Sequence, residues 1–169
     1  MSESTPDPTA SQVTASAPAA SVPAEPTLTQ PVPSAGNLPL GIVAGLVAAL
    51  IGAVLWAVIT VTTEYQIGFM AVGVGFLVGA AVGKFGGGQD VSYRIAGAVL
   101  ALFGCVLGNF LTIVGFVAGR GDEGFFSTLG QIDLAAVPSI MASTASPMDF
   151  LFYGIAVYEG FKLSVKNQP

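Results

Sequence analysis

Few side chains in this 169-residue sequence have the chemistry of a catalytic or metal site. There is no histidine and a single cysteine, Cys105, which excludes an intrachain disulfide and the Cys/His ligand sets of zinc sites. Without histidine, serine–histidine and cysteine–histidine pairs are excluded as well. No acid pair or nucleophile–base pair stands at a spacing that catalysis needs. We therefore predict no catalytic residue, no cofactor and no metal ion, and expect that the protein is not an enzyme.

Two polar side chains, Asn109 and Glu159, lie in mostly apolar stretches. A carboxamide left unpaired in lipid costs on the order of several kcal/mol, so Asn109 is expected to contact another helix or the backbone. Whether it only joins helices or also contacts a substrate or ion is open. Glu159 is either an intramembrane proton or ion site or the partner of Lys162, one turn later. Cys105 has no cationic neighbour in sequence and is expected to be a small packing residue.

The composition around these residues is that of a membrane protein. Hydrophobic residues make up 53% of the chain and charged residues only 9%, against about 25% charged residues in a typical soluble domain. The net charge is −5 and the sequence has no basic patch, which argues against nucleic-acid binding. The predicted partners are therefore the lipid bilayer and, within it, a second copy of the chain or another membrane protein.

The predicted fold is all-α, with four transmembrane helices behind a disordered tail. Residues 1–37 are rich in Pro, Ala, Ser and Thr and cannot bury enough apolar surface to offset the entropy of ordering. Residues 38–169 form the transmembrane domain, because their uncharged runs are long enough to cross a hydrocarbon core of about 30 Å. The four predicted spans are residues 38–62, 67–85, 95–118 and 150–165.

Small residues recur at every fourth position in the first two spans. At 3.6 residues per turn such a row stays on one helix face, and in lipid it allows two helices to approach closely. The short connection between these spans makes them antiparallel neighbours, so we expect their rows to face each other. The predicted packing residues are Gly41 and Gly45 in span 1 and Ala71, Gly75, Gly79 and Gly83 in span 2.

Three further features concern the ends of the spans. The run Gly86–Gly88 is expected to end the second helix. Residues 120–148 are too mixed in polarity to cross a membrane, and we expect a surface segment or a short helix at the interface. Trp56 is expected near one membrane interface, where tryptophan is enriched.

The distribution of basic residues predicts the orientation in the membrane. Lys84 and Arg94 flank the connection between spans 2 and 3, and Lys162 and Lys166 lie at the C-terminal end, whereas Arg120 is alone on the opposite side. By the positive-inside rule both termini are cytoplasmic. The predicted location is the cell (inner) membrane, as a multi-pass protein.

Three segments resemble an uncharacterised family of small bacterial four-span membrane proteins. They are YQIG at residues 65–68, GNF at residues 108–110 and YGIAVYEG at residues 153–160. The resemblance covers most of residues 40–165 and leaves out the tail and much of the long connection after span 3. It implies a bacterial cell membrane and no catalytic activity.

These observations favour a non-enzymatic accessory, scaffold or assembly component of the membrane. An alternative is a small oligomeric channel or transporter, in which glycine rows allow subunits to pack closely and Asn109 or Glu159 lines the path. A membrane-embedded enzyme is a third class, which a substrate-dependent product would support.

Overall fold

The computed structural model describes residues 36–65, 67–121, 124–133, 135–144 and 146–165, and within these ranges the chain is all-α, as predicted. The predicted tail lies, up to residue 35, outside the described residues. The four long helices begin and end within four residues of the predicted spans. The helices are α1 (Leu38–Thr63), α2 (Phe69–Gly86), α3 (Val91–Arg120), α4 (Phe125–Gln131), α5 (Val137–Thr144) and α6 (Pro147–Leu163).

Three of these helices, α1, α2 and α3, are long and apolar enough to cross a membrane. The last helix, α6, has 17 residues. By length and composition it counts as a fourth candidate span when it is taken together with α5, from which it is bent by 111°. The long connection after α3 contains the short helices α4 and α5. By length and composition, these helices are compatible with a polytopic membrane protein of three or four spans.

The four long helices form a bundle in which successive helices alternate in direction. At its centre α2 and α3 contact each other, and both contact α1 on one side and α6 on the other. Gly41 near the start of α1 lies beside Gly86 at the end of α2, and Gly97 near the start of α3 lies beside Ser164, just after α6. Each of these pairs of helices is thus antiparallel. By contrast α1 is parallel to α3, because Ala49 and Ala53 lie beside Gly104 and Gly108 in the same order. Likewise α2 is parallel to α6, because Gly75 and Gly83 lie beside Ala156 and Leu163.

Asn37 caps α1 and joins its start to the end of α2 by one backbone hydrogen bond. The Asn37 Oδ1 atom accepts a hydrogen bond of 3.0 Å from the Leu40 N–H and so satisfies one free amide of the first turn. The Asn37 N–H donates to the Gly86 carbonyl at 2.7 Å. As predicted, α2 ends in the glycine run: Gly87 has a φ of 64°, a left-handed conformation that glycine adopts without strain. Asn37, predicted as the last tail residue, is therefore the cap of α1.

A reciprocal cap starts α6. The Ser146 Oγ atom accepts a hydrogen bond from the Met148 N–H, and the Ser146 N–H donates to Asp149 Oδ2 at 2.8 Å. Pro147 occupies the first turn, where its missing N–H is no loss. This cap fixes the start of the helix a turn earlier than residue 150, where span 4 was predicted to begin.

We predicted that the row of small residues on α2 faces α1. In the structure this row faces α6 instead. A Cβ atom added at Gly79 would lie 2.9 Å from the Glu159 carbonyl oxygen, and Gly75 and Gly83 likewise meet the backbone of α6. On α1, Ala49 and Ala53 pack against two glycines of α3. The glycine row of α2 thus packs against α6, and Ala49 and Ala53 of α1 pack against α3, so these two rows do not face each other.

Valines of α2 form its contact with α1. Val74, Val78 and Val82 are at most 3% exposed, and the methyl groups of Val74 and Val82 lie against Gly52 and Gly45 of α1. The prediction was wrong because a short connection makes two helices neighbours without fixing the rotation of either about its own axis. On α2 each valine of this row directly precedes a glycine of the other row, so the two rows are about 100° apart around the helix.

Candidate functional site

Polar side chains gather inside the bundle at the level of Trp56. Its ring lies against Gly108 of α3, where an added Cβ atom would come within 3.0 Å of the ring. It also meets the ring of Tyr153 on α6, with ring centroids 6.4 Å apart and planes at 74°. Because Trp56 is only 2% exposed, it packs in the core of the bundle and not on the lipid-facing surface where interfacial tryptophans lie. Asn109, the residue after Gly108, is 6% exposed at the same level.

Three polar atoms in this part of the bundle have no hydrogen-bond partner among the described residues. They are Trp56 Nε1, Thr60 Oγ1 and Tyr153 Oη. Trp56 and Thr60 are one turn apart on the same face of α1, and Thr60 is completely buried. A buried polar group without a partner costs about 1–3 kcal/mol. We call Trp56, Thr60, Asn109 and Tyr153 the polar cluster.

A cavity of about 210 Å³ adjoins the polar cluster between α3, α5 and α6. Its polar lining comes from Asn109, Asp149 and Tyr153, and its apolar lining from Met141, Ala142 and Phe150. A carboxamide, a carboxylate and a phenol together offer hydrogen-bond donors and acceptors. The cavity can therefore hold a small polar solute or a few water molecules, and it is the candidate functional site of the chain.

Cys105 lies one turn before Asn109 but outside this cavity. It is completely buried, and its thiol donates to the Ala71 carbonyl oxygen at 3.7 Å. This is the environment of a small packing residue. Within the part of the chain that the structure describes, no three Asp, Glu or Cys side chains come together as metal ligands.

Glu159 is separate from the cavity. It follows Tyr153 on α6 by about 9 Å, at a rise of 1.5 Å per residue, and it is half-buried. The expected pair with Lys162 is not formed: the Lys162 ammonium lies 5.7 Å from the Tyr158 ring centroid, and Glu159 has no ion-pair partner among the described residues. Tyr158 precedes Lys162 by four residues, where a cation can lie over the ring. Asn109 and Glu159 therefore do not share a site.

All of the predicted packing residues are buried at helix contacts, although some have other partners than expected. Gly41 lies against Gly86: a Cβ atom added at position 41 would lie 3.0 Å from the Gly86 Cα atom. Gly45 meets side chains of both α2 and α3, and Ala71 accepts the hydrogen bond from Cys105. The contacts of Gly75, Gly79 and Gly83 with α6 are described above.

Sequence reasoning found Asn109 but not the rest of the polar cluster. Tyr153 and Trp56 resemble the interfacial aromatic residues of many membrane helices, and Thr60 stands near a helix end where a hydroxyl is ordinary. The spacing of four between Trp56 and Thr60 is the one signal that places two polar atoms on the same face of α1.

No family model, curated protein or solved structure matches the chain. The resemblance of the three segments to the bacterial four-span family accordingly stays a prediction. A functional proposal has to rest on the packing and the polar cluster described above.

Proposed function

We propose that this chain is a four-span protein of the bacterial cell membrane, with both termini in the cytoplasm, and that it is a non-enzymatic accessory, scaffold or assembly component. In this role it binds another membrane protein or a second copy of itself within the bilayer. It needs no cofactor and does not bind nucleic acid.

The packing of α6 along α2 supports a fourth crossing. Gly68 just before α2 meets the ring of Phe152, and Gly83 near the end of α2 meets the backbone at Leu163. The two helices thus run side by side in the same direction over nearly their whole length. At 1.5 Å per residue α6 is about 25 Å long, so a bilayer that contains α2 also contains α6.

The positions of the basic residues support the orientation. The helix directions bring Lys84 at the end of α2, Arg94 at the start of α3 and Lys162 at the end of α6 to one end of the bundle. Arg94 also lies 5.4 Å from the centroid of the Phe161 ring. Arg120 is at the opposite end. By the positive-inside rule the end with several basic residues faces the cytoplasm.

The filling of the interior is the observation that carries the scaffold proposal. Ala71, Val78 and Val82 of α2 and Ala101 and Cys105 of α3 are all completely buried between the helices. Such close packing makes a rigid body. On the outside, α1 exposes large aliphatic side chains along its whole length, and these are Leu40, Ile42, Val43, Leu46, Val47, Leu50, Ile51, Val54, Leu55, Val58 and Ile59.

Crosslinking in native membranes tests this proposal. A photo-crosslinker at Val47, which is 50% exposed on α1, is expected to capture a membrane protein or a second copy of the chain. The same crosslinker at Ala49, which is completely buried, is the matched control and is expected to capture neither. Products at position 49 alone, or only lipid at position 47, would contradict the proposal.

A second candidate function, a small channel or transporter, is favoured by the polar cluster and its cavity. Asn109 and Tyr153 offer polar groups inside an otherwise apolar bundle, which is where ion and solute paths are found. Flux measured on purified protein in lipid vesicles separates the two functions. Flux above that of empty vesicles, lost in Asn109→Leu, would favour the channel over the scaffold.

A further inference from the structure

Two adjoining cavities form a continuous groove on the bundle, between α1, α3 and α4. The deeper one, of about 470 Å³, is lined by apolar side chains such as Val54, Leu111 and Phe126, with Thr62 at its edge. The outer one, of about 610 Å³, includes Glu64 and Arg120. Val61 and Gly115 line both cavities. We call the combined space the lipid groove.

The depth of the lipid groove matches one leaflet of a bilayer. From Val54 to Glu64 the groove follows α1 for about 15 Å, at a rise of 1.5 Å per residue, which is half of a hydrocarbon core of about 30 Å. Two of its three walls, α1 and α3, are helices long and apolar enough to cross a membrane. The apolar part of the groove therefore lies at the depth of acyl chains, and the charged part at the depth of the headgroups.

Opposite charges face the headgroup end. The Arg120 guanidinium lies over the Phe116 ring, 6.0 Å from its centroid, and a guanidinium binds a phosphate through paired hydrogen bonds. Glu64 supplies a carboxylate to the same cavity. Neither forms an ion pair with any described residue. A ligand with a phosphate and an ammonium group satisfies both, whereas an anionic headgroup leaves Glu64 unbalanced.

We propose that the lipid groove binds one phospholipid with a zwitterionic, primary-amine headgroup. An acyl chain fills the apolar part, the phosphate binds Arg120 and the ammonium group donates hydrogen bonds to Glu64. A choline headgroup has no N–H to donate and is the weaker ligand. The proposal requires only that α1 and α3 cross the membrane. Of the exposed aliphatic side chains of α1 the groove takes Val54 and Val58 and leaves the surface around Val47 to a protein partner, so the scaffold function can fail while the lipid proposal holds.

The full chain, purified in mild detergent, is incubated with equal amounts of phosphatidylethanolamine, phosphatidylglycerol and phosphatidylcholine that carry the same acyl chains. Native mass spectrometry then counts the bound lipids. The wild type is expected to retain more phosphatidylethanolamine than phosphatidylglycerol or phosphatidylcholine. Arg120→Gln is expected to weaken its binding about tenfold, the effect of losing one charge-assisted hydrogen bond. Glu64→Gln is expected to shift the preference to phosphatidylglycerol.

Filling the groove supplies a second test. A Cβ atom at Gly115 would lie 2.6 Å from a methyl carbon of Val61, so Gly115→Leu is expected to abolish retention of all three lipids. Gly73→Leu is the matched control, because nothing lies within 4 Å of a Cβ atom there, and it should bind as the wild type does. Equal retention of the three headgroups by the wild type, or unchanged lipid binding by folded Arg120→Gln, would overturn the proposal. So would a crosslinker at Val58 that captures a protein helix and no lipid.

Discussion

Gly75 of α2 lies so close to Ala156 of α6 that a Cβ atom at position 75 would come within 2.6 Å of the Ala156 Cα atom. No side chain fits between the two backbones here. Along the rest of α2 the same face continues through Gly79 and Gly83 against α6. The contact joins two parallel helices that are far apart in the chain. A substitution at Gly75 therefore tests directly whether α2 and α6 pack together.

Gly75→Leu is expected to destabilise the protein, because overpacking forces the backbones of α2 and α6 apart at a cost of about 1–3 kcal/mol or more. Gly73→Leu, two residues earlier on the same helix, points into open space and should leave stability within about 0.5 kcal/mol of the wild type. The midpoint of thermal denaturation in detergent measures both. Equal midpoints for the two variants would show that α2 and α6 do not pack together at Gly75.

Thr60→Val is expected to stabilise the protein, because it removes a completely buried hydroxyl that has no described partner, a group that costs about 1–3 kcal/mol. Thr112→Val is the matched control: its hydroxyl donates to the Gly108 carbonyl at 2.8 Å, so its loss should cost about 0.5–1 kcal/mol. Relative to the wild type, the midpoint of thermal denaturation should rise in Thr60→Val and fall in Thr112→Val. A loss of stability in Thr60→Val would mean that this hydroxyl has a partner, such as a bound solute.

Asn109→Leu is expected to give a folded protein with a small change in stability, since polar contacts between membrane helices average about 0.6 kcal/mol. Glu159→Gln should be as mild, because Glu159 has no ion-pair partner among the described residues. Thermal denaturation and complementation of a deletion strain are the two measurements. Failed complementation by either variant at normal expression and stability would favour the channel function.

Reporter fusions test the orientation. A fusion after residue 90, between α2 and α3, is expected to report the cytoplasm, and a fusion after residue 130, within α4, the opposite side. The reason is the cluster of basic residues at the end of the bundle that includes Lys84 and Arg94. A cytoplasmic signal from the fusion at residue 130 would show that the predicted topology is wrong.

The helices themselves could be predicted because they depend on local properties of the sequence. Uncharged runs of sufficient length indicated α1, α2 and α3. The glycine run indicated the end of α2, where Gly87 adopts the left-handed conformation. Asn109 was recognised because a carboxamide is rare in such a run. The start of α1 at residue 38 was also predicted. The cap by Asn37 was not, since in sequence this residue looks like the last polar residue of a tail.

The partners of the small residues could not be predicted, because rows with the same spacing occur on several helices. The glycine row of α2 fits α1 as well in sequence as it fits α6, and only the rotation of α2 decides between them. The polar cluster was missed for a related reason. Tyr153 belongs to the polar cluster only because α6 turns its hydroxyl into the bundle, and no periodicity within α6 indicates this.

The distance in sequence between Gly75 and Ala156 has a consequence for the order of assembly. Chains are synthesised from the N-terminus, and the earlier segments fold first. The glycine face of α2 is therefore open to lipid until α6 is made, and α6 completes the fold by docking onto three helices already in place. A chain cut before α6 keeps this face open. A truncated chain expressed beside a full-length copy is then expected to bind the α6 of that copy, the same contact that two full-length chains would exchange in a domain-swapped dimer.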